Sequence, residues 1–95
     1  MTLAAHDLEE LSRSIAETLY IDVSGWHLYL GDARLAGTLA EECAGRLDQG
    51  AGVAARQALE AVQVTIGGGA TRLPLARLIP AGQLRDLEEL LAPWC

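Results

Sequence analysis

Lysine, asparagine and phenylalanine are absent from this sequence, and cysteine, proline and aromatic residues are scarce. The missing lysine rules out a P-loop: Gly67-Gly68-Gly69 supplies glycines but no lysine follows to reach a nucleotide's phosphates. A hairpin turn is the expected role of that run. Cys43 and Cys95 stand far apart and in no zinc-ligand spacing, so we expect two reduced thiols in a cytosol, with no metal or other cofactor. No apolar run approaches the ~20 residues that a membrane helix needs. Met1 to Glu10 has neither a basic segment nor an apolar core, so no secretory signal is expected, and the expected location is cytoplasmic.

Positive charge is also in short supply. Seven arginines face thirteen acids, a net −6, and Arg13 is the one base among the first 24 residues, which carry Asp7, Glu9, Glu10, Glu17 and Asp22. Such a field repels phosphate backbones, and no basic cluster overrides it, so nucleic acid is not an expected partner. An anionic membrane surface is disfavoured for the same reason.

What remains is leucine and alanine. Seventeen Leu and sixteen Ala make up most of the apolar half, with Tyr20, Trp26, Tyr29 and Trp94 as the aromatics. Both are good helix formers, so the composition leans helical. Ninety-five residues are expected to form a single domain, 1–95, with a thin core.

The pattern along the chain yields an α-rich α+β fold in the order α-α-α-β-β-α. Leu8, Leu11, Ile15 and Leu19 recur at helical spacing and predict a helix over residues 3–19, with Asp7 and Glu10 as an alternative capping box at its start. Residues 20–30 are ambiguous. Trp26-His27-Leu28-Tyr29-Leu30 alternates like a strand. Against that, Asp22 can cap a helix with Ile21 and Trp26 as its hydrophobic staple, and Leu28, Leu35 and Leu39 then share one stripe. We expect a helix from Val23 to Leu47, kinked near Gly31, with the strand as the competing reading. A glycine loop over 48–52 precedes a helix over Val53–Ala61. Val62, Val64 and Ile66 then alternate with polar residues up to the glycine run, and Thr71 to Leu75 returns, which reads as a β-hairpin. Leu84, Leu87, Leu90 and Leu91 line a last helix, Arg85 is spaced to meet Glu89, and Pro93 ends it. No internal repeat is apparent.

Few residues offer chemistry. His27 with Asp32, or with His6, is too small a set for a metal and has no third ligand to converge with. Cys43 sits among Leu39, Ala40 and Leu47 and reads as a small buried hydrophobe. Trp26 and Tyr29 are more informative, because scarce amphipathic aromatics close together suit an interface, although Trp26 would also serve as the largest piece of a core. Trp94 is either exposed at the tail or folded back as a lid on the leucine helix.

The block Tyr20-Ile21-Asp22-Val23, Trp26-His27-Leu28-Tyr29-Leu30, Asp32-Ala33, Leu35 and Leu39-Ala40-Glu41 resembles a family of small cyanobacterial proteins of unknown function. Gly67-Gly68-Gly69, Pro74-Leu75 and Leu78-Ile79-Pro80 extend the likeness over most of residues 15–80. The resemblance implies a cyanobacterial cytoplasm, fits a GC-rich member that uses arginine alone as its base, and carries no residue role. Together these readings predict a non-enzymatic accessory protein that binds another protein, and possible homo-oligomers, through a surface containing Trp26, His27, Tyr29 and Asp32. The alternative is a small-molecule or metal-binding regulator, or a minor enzyme, centred on His27 and Asp32.

Overall fold

The computed structural model describes residues 4–23, 26–31, 34–66 and 71–94, and at Val23, Trp26, His27 and Ile66 the backbone alone. Its elements are helix α1 (Ala5–Thr18), strands β1 (Tyr20–Val23) and β2 (Trp26–Tyr29), helices α2 (Ala36–Ala44) and α3 (Ala51–Ala61), strands β3 (Gln63–Ile66) and β4 (Thr71–Pro74), and helix α4 (Ala81–Leu91). Short 3-10 turns cover Leu47–Gln49, Leu75–Arg77 and Ala92–Trp94. The fold is α-rich α+β. Its four helices touch in a closed ring, α1 on α2, α2 on α3, α3 on α4 and α4 on α1.

The expected long helix over Val23–Leu47 is corrected: its first half is a β-hairpin and only Ala36–Ala44 is α-helical. Local cap signals lose here to strand propensity and tertiary pairing. Tyr20, Ile21, Val23, Trp26 and Tyr29 are strand formers, and a helix through Gly25 and Gly31 would be weakened by up to ~1 kcal/mol at each. Ile21, proposed as a staple residue, is instead buried in the core from β1, opposite Leu28. Gly31 has its own reason. A Cβ placed there would sit 2.9 Å from the Cβ of Ala16 and 3.3 Å from its carbonyl oxygen, so only glycine lets the chain leaving β2 lie against α1.

The boundaries of the other elements lie within a few residues of expectation. α1 starts at Ala5 with Ala4 as N-cap and no side-chain cap, so the Asp7/Glu10 box does not form, although Asp7 sits in the first turn where the helix dipole favours it. α3 begins at Ala51, two residues early, because Gly50 adopts φ 97° and ψ 154°, a conformation open essentially to glycine, and turns the chain straight into the helix. The 62–75 hairpin forms as expected, with its glycine turn outside the described residues. Pro74 pairs with Gln63 at a position that asks for no N–H across the ladder, since Val62 and Leu75 form the flanking bonded pair. The Arg85–Glu89 ion pair is present at 3.8 Å, exposed and so worth little. Trp94 is half-buried and packs against the core, as the lid reading has it.

The chain also contains a repeat that the sequence conceals: α-β-β-α occurs twice, as α1-β1-β2-α2 and α3-β3-β4-α4. The junctions correspond bond for bond. Leu19 donates its N–H to Ile15 O (3.0 Å) and accepts from Leu30 N–H (3.0 Å), while Val62 donates to Ala58 O (3.1 Å) and accepts from Leu75 N–H (2.8 Å). All four junction residues are buried in one cluster with Leu11, Ile15, Leu39, Leu87 and Leu91. Each hairpin is thus rooted in the core at its open end. A trace is left in the sequence: Ala36-Gly37-Thr38-Leu39 opens α2 as Ala81-Gly82-Gln83-Leu84 opens α4.

The halves are tied by the outer side of β1. Gln83, 6% exposed, accepts the Tyr20 N–H on Oε1 (2.9 Å) and donates from Nε2 to Asp86 Oδ2 (2.7 Å). Asp22 N–H donates to Leu78 O (3.1 Å).

Two stability effects follow, both readable by urea denaturation. Gln83→Leu keeps the volume but removes the acceptor of the part-buried Tyr20 N–H, and should cost about 0.5–1.5 kcal/mol. Gly31→Ala should cost about 1–3 kcal/mol by overpacking. Adding Ala16→Gly should recover about 1 kcal/mol of that in a double-mutant cycle, whereas strict additivity would contradict the contact.

Candidate functional site

Alternation along a hairpin decides which backbone groups face outward. Because Leu19 and Leu30 form a bonded pair, the next pair up, Tyr20 and Tyr29, is non-bonded, and so is Asp22 with His27. The outward N–H groups of β1 are those of Tyr20 and Asp22, which Gln83 and Leu78 receive. The same rule turns the backbone of Tyr29 outward from β2. β2 is an edge of a two-stranded sheet, and among the described residues no strand lies beyond it.

Beside that edge lie the large apolar side chains that the structure leaves exposed, Leu28 (39%) and Tyr29 (44%). The Tyr29 ring meets that of Tyr20 across the strands, centroids 5.7 Å apart and planes tilted 59°. Such a pair steadies the hairpin by about 0.5–1.5 kcal/mol beyond its buried area.

A groove of about 420 Å³ runs between α1 and α2. Leu8, Ser12, Ala16 and Gly37 form its walls, and Glu9, Arg13 and Glu41 bring charge to it. Ala16 is also the residue against which Gly31 lies, two residues beyond the end of β2.

Of the expected surface residues, Tyr29 is exposed at the β2 edge. Trp26 and His27 are in β2, in register with Val23 and Asp22, and their side chains lie outside the description. Asp32 lies outside the described residues, so the His27/Asp32 pair is not assembled among them. Sequence reasoning missed Leu28, assigned to a helical stripe, and the groove residues Glu9, Arg13 and Glu41. The i, i+4 spacing of Glu9 and Arg13 shows that they share a face of α1, but nothing in sequence sets Glu41 opposite them.

Two other groups have reactive chemistry. His6, Asp7 and Glu10 bring one ligand atom each within 4.8 Å of one another. All come from one exposed helical turn, where i, i+4 spacing alone produces such proximity. Cys43 is wholly buried in α2, and desolvation pushes its thiol up to about 12, with Arg46 pulling it down and Glu42 adding to the rise. Arg46 meanwhile closes the end of α2, donating from Nη1 to Glu42 O (2.9 Å) and Glu42 Oε1 (3.2 Å). The buried thiol is neutral at physiological pH and structural, as its position in sequence implies.

A thiol whose folded pKa lies above its unfolded value of 9.0 stabilises the fold below pH 9, and that contribution fades as pH rises towards 12. In a Cys95→Ser variant at pH 8, Cys43 should react with a disulfide reagent only as fast as the protein opens, and at once in urea. Fast labelling of the folded chain would contradict its burial.

Residues 8–94 match the family described as Protein of unknown function (DUF3181). The chain is also 35% identical over 98 residues to Thylakoid-associated protein slr0729 of Synechocystis sp., across 99% of this chain and 95% of that protein. No solved structure matches. Family match and full-length likeness agree, as does the earlier resemblance to small cyanobacterial proteins: the chain belongs to the DUF3181 family.

Proposed function

We propose that this protein is a non-enzymatic accessory protein that binds another protein at the thylakoid surface from the cytoplasmic side. The observation that carries this reading is the edge of β2, uncovered among the described residues, with Leu28 and Tyr29 exposed beside it. Exposed apolar side chains next to unpaired backbone are what recognition by strand addition uses.

The Synechocystis relative is named as thylakoid-associated, and that name supports the thylakoid surface as the site of action. Carried to this chain, attachment runs through protein and not lipid. Among the described residues no helix is long and apolar enough to cross a membrane. A net −6 also opposes adsorption to anionic headgroups.

The test is sedimentation of the tagged chain with thylakoid membranes, followed by identification of what it captures. Binding to intact thylakoids should be lost when surface proteins are shaved by protease, and protein-free vesicles of the extracted lipids should not bind. A stoichiometric partner should appear against a tag-only control. Equal binding to the lipid vesicles would contradict the reading.

A further inference from the structure

We propose that β2 takes up, as a third strand, an extended basic segment of the partner, whose cationic side chains reach the carboxylates of Glu9 and Glu41. This rests on the accessory-protein reading above and names the chemistry of its partner.

Each strand edge of the protein can be compared. β1 is closed by Gln83 and Leu78. β4 carries Arg72 and Pro74, a charge and a residue with no N–H, the usual means of blunting an edge. β3 presents the polar Gln63 and Thr65, with the Gln63 amide donating back to Glu60 O at 3.3 Å. β2 has none of these: its sequence Trp-His-Leu-Tyr contains no proline, lysine, arginine or acid, and the backbone of Tyr29 faces outward. Among the described residues it is the edge that combines outward backbone with exposed apolar side chains, Leu28 and Tyr29.

Charge selects the occupant. α1 touches β2 and exposes Glu9, Glu10 and Glu17, and α2 exposes Glu41 across the groove. Among the described residues, neither Glu9 nor Glu41 has an ion-pair partner, and Arg13 offsets only part of the local negative charge. A second copy of this chain would bring the same acids face to face, which costs free energy. A basic strand meets complementary charge from α1, which touches β2 and whose Ala16 both lines the groove and packs against Gly31, two residues beyond Tyr29.

The test uses fluorescent eight-residue peptides alternating valine with arginine, serine or glutamate. The arginine peptide should bind at least about tenfold more tightly than the serine peptide, with affinity falling as salt rises, and the glutamate peptide should not bind. Glu9→Lys with Glu41→Lys, both exposed helix positions, should reverse that preference. Tyr29→Pro, which removes the outward N–H, should abolish binding, while Tyr29→Ala should retain part of it. Methylating alternate backbone nitrogens of the peptide tests the same bonds without touching the protein. Equal binding by the methylated peptide overturns strand addition, and so does wild-type binding by a Tyr29→Pro protein with native circular dichroism. Equal binding of all three peptides overturns the charge assignment. Light scattering that shows dimers dissolved by Tyr29→Pro makes a second copy the occupant and overturns the proposal. Tyr29→Pro is also run in the capture from thylakoids. A partner kept by that variant sinks the strand while leaving the accessory role, and no partner for the wild type sinks both.

Discussion

Two buried residues each cap a helix and root the hairpin that follows it. Leu19 and Val62 spend their N–H groups closing α1 and α3 and their carbonyls opening the hairpins. Neither peptide can reach water, so both bonds are obligatory. Once they are made, the Leu30 and Leu75 ends of the hairpins are held in the same core, and the parity of every later pair is set. The outward side of β1 then falls at Tyr20 and Asp22, where Gln83 and Leu78 meet it. The outward side of β2 falls at Tyr29.

This parity links fold to function. Had β2 slipped by one residue, every side chain would exchange faces and Ile21 would no longer sit opposite Leu28. The register that keeps Ile21 and Leu30 inside is the one that leaves Tyr29 at an open edge beside an acidic helix. The closed edges make the same point in reverse: a buried glutamine guards β1, and a proline and an arginine guard β4.

Most of the helical framework was legible in the sequence. Leu8, Leu11 and Ile15 on one side, and Leu84, Leu87 and Leu91 on the other, follow a 3.6-residue period that no other element imitates. The second hairpin was legible because Val62, Val64 and Ile66 alternate cleanly before a glycine run. The first was not, since residues 20–30 satisfy both periods in part and the deciding contacts are remote. Gly31 is required by Ala16, fifteen positions earlier, and β1 is closed by Gln83, sixty-three positions later than Tyr20. The repeat was hidden because one half lines its first helix with leucine and isoleucine and the other with Ala54, Ala55 and Ala58. Of the expected surface, Tyr29 is at the open edge, whereas the groove acids come together only through the packing of α1 on α2.

Amide hydrogen exchange on the isolated chain, resolved by residue, addresses the central claim most directly. The Leu30, Leu75 and Tyr20 amides, each held by a bond described above, should exchange only through large-scale opening. The Tyr29 amide should exchange orders of magnitude faster, although it lies next to Leu30 in the chain. A Tyr29 amide as protected as that of Leu30 would mean that the edge of β2 is already covered, and would contradict the account.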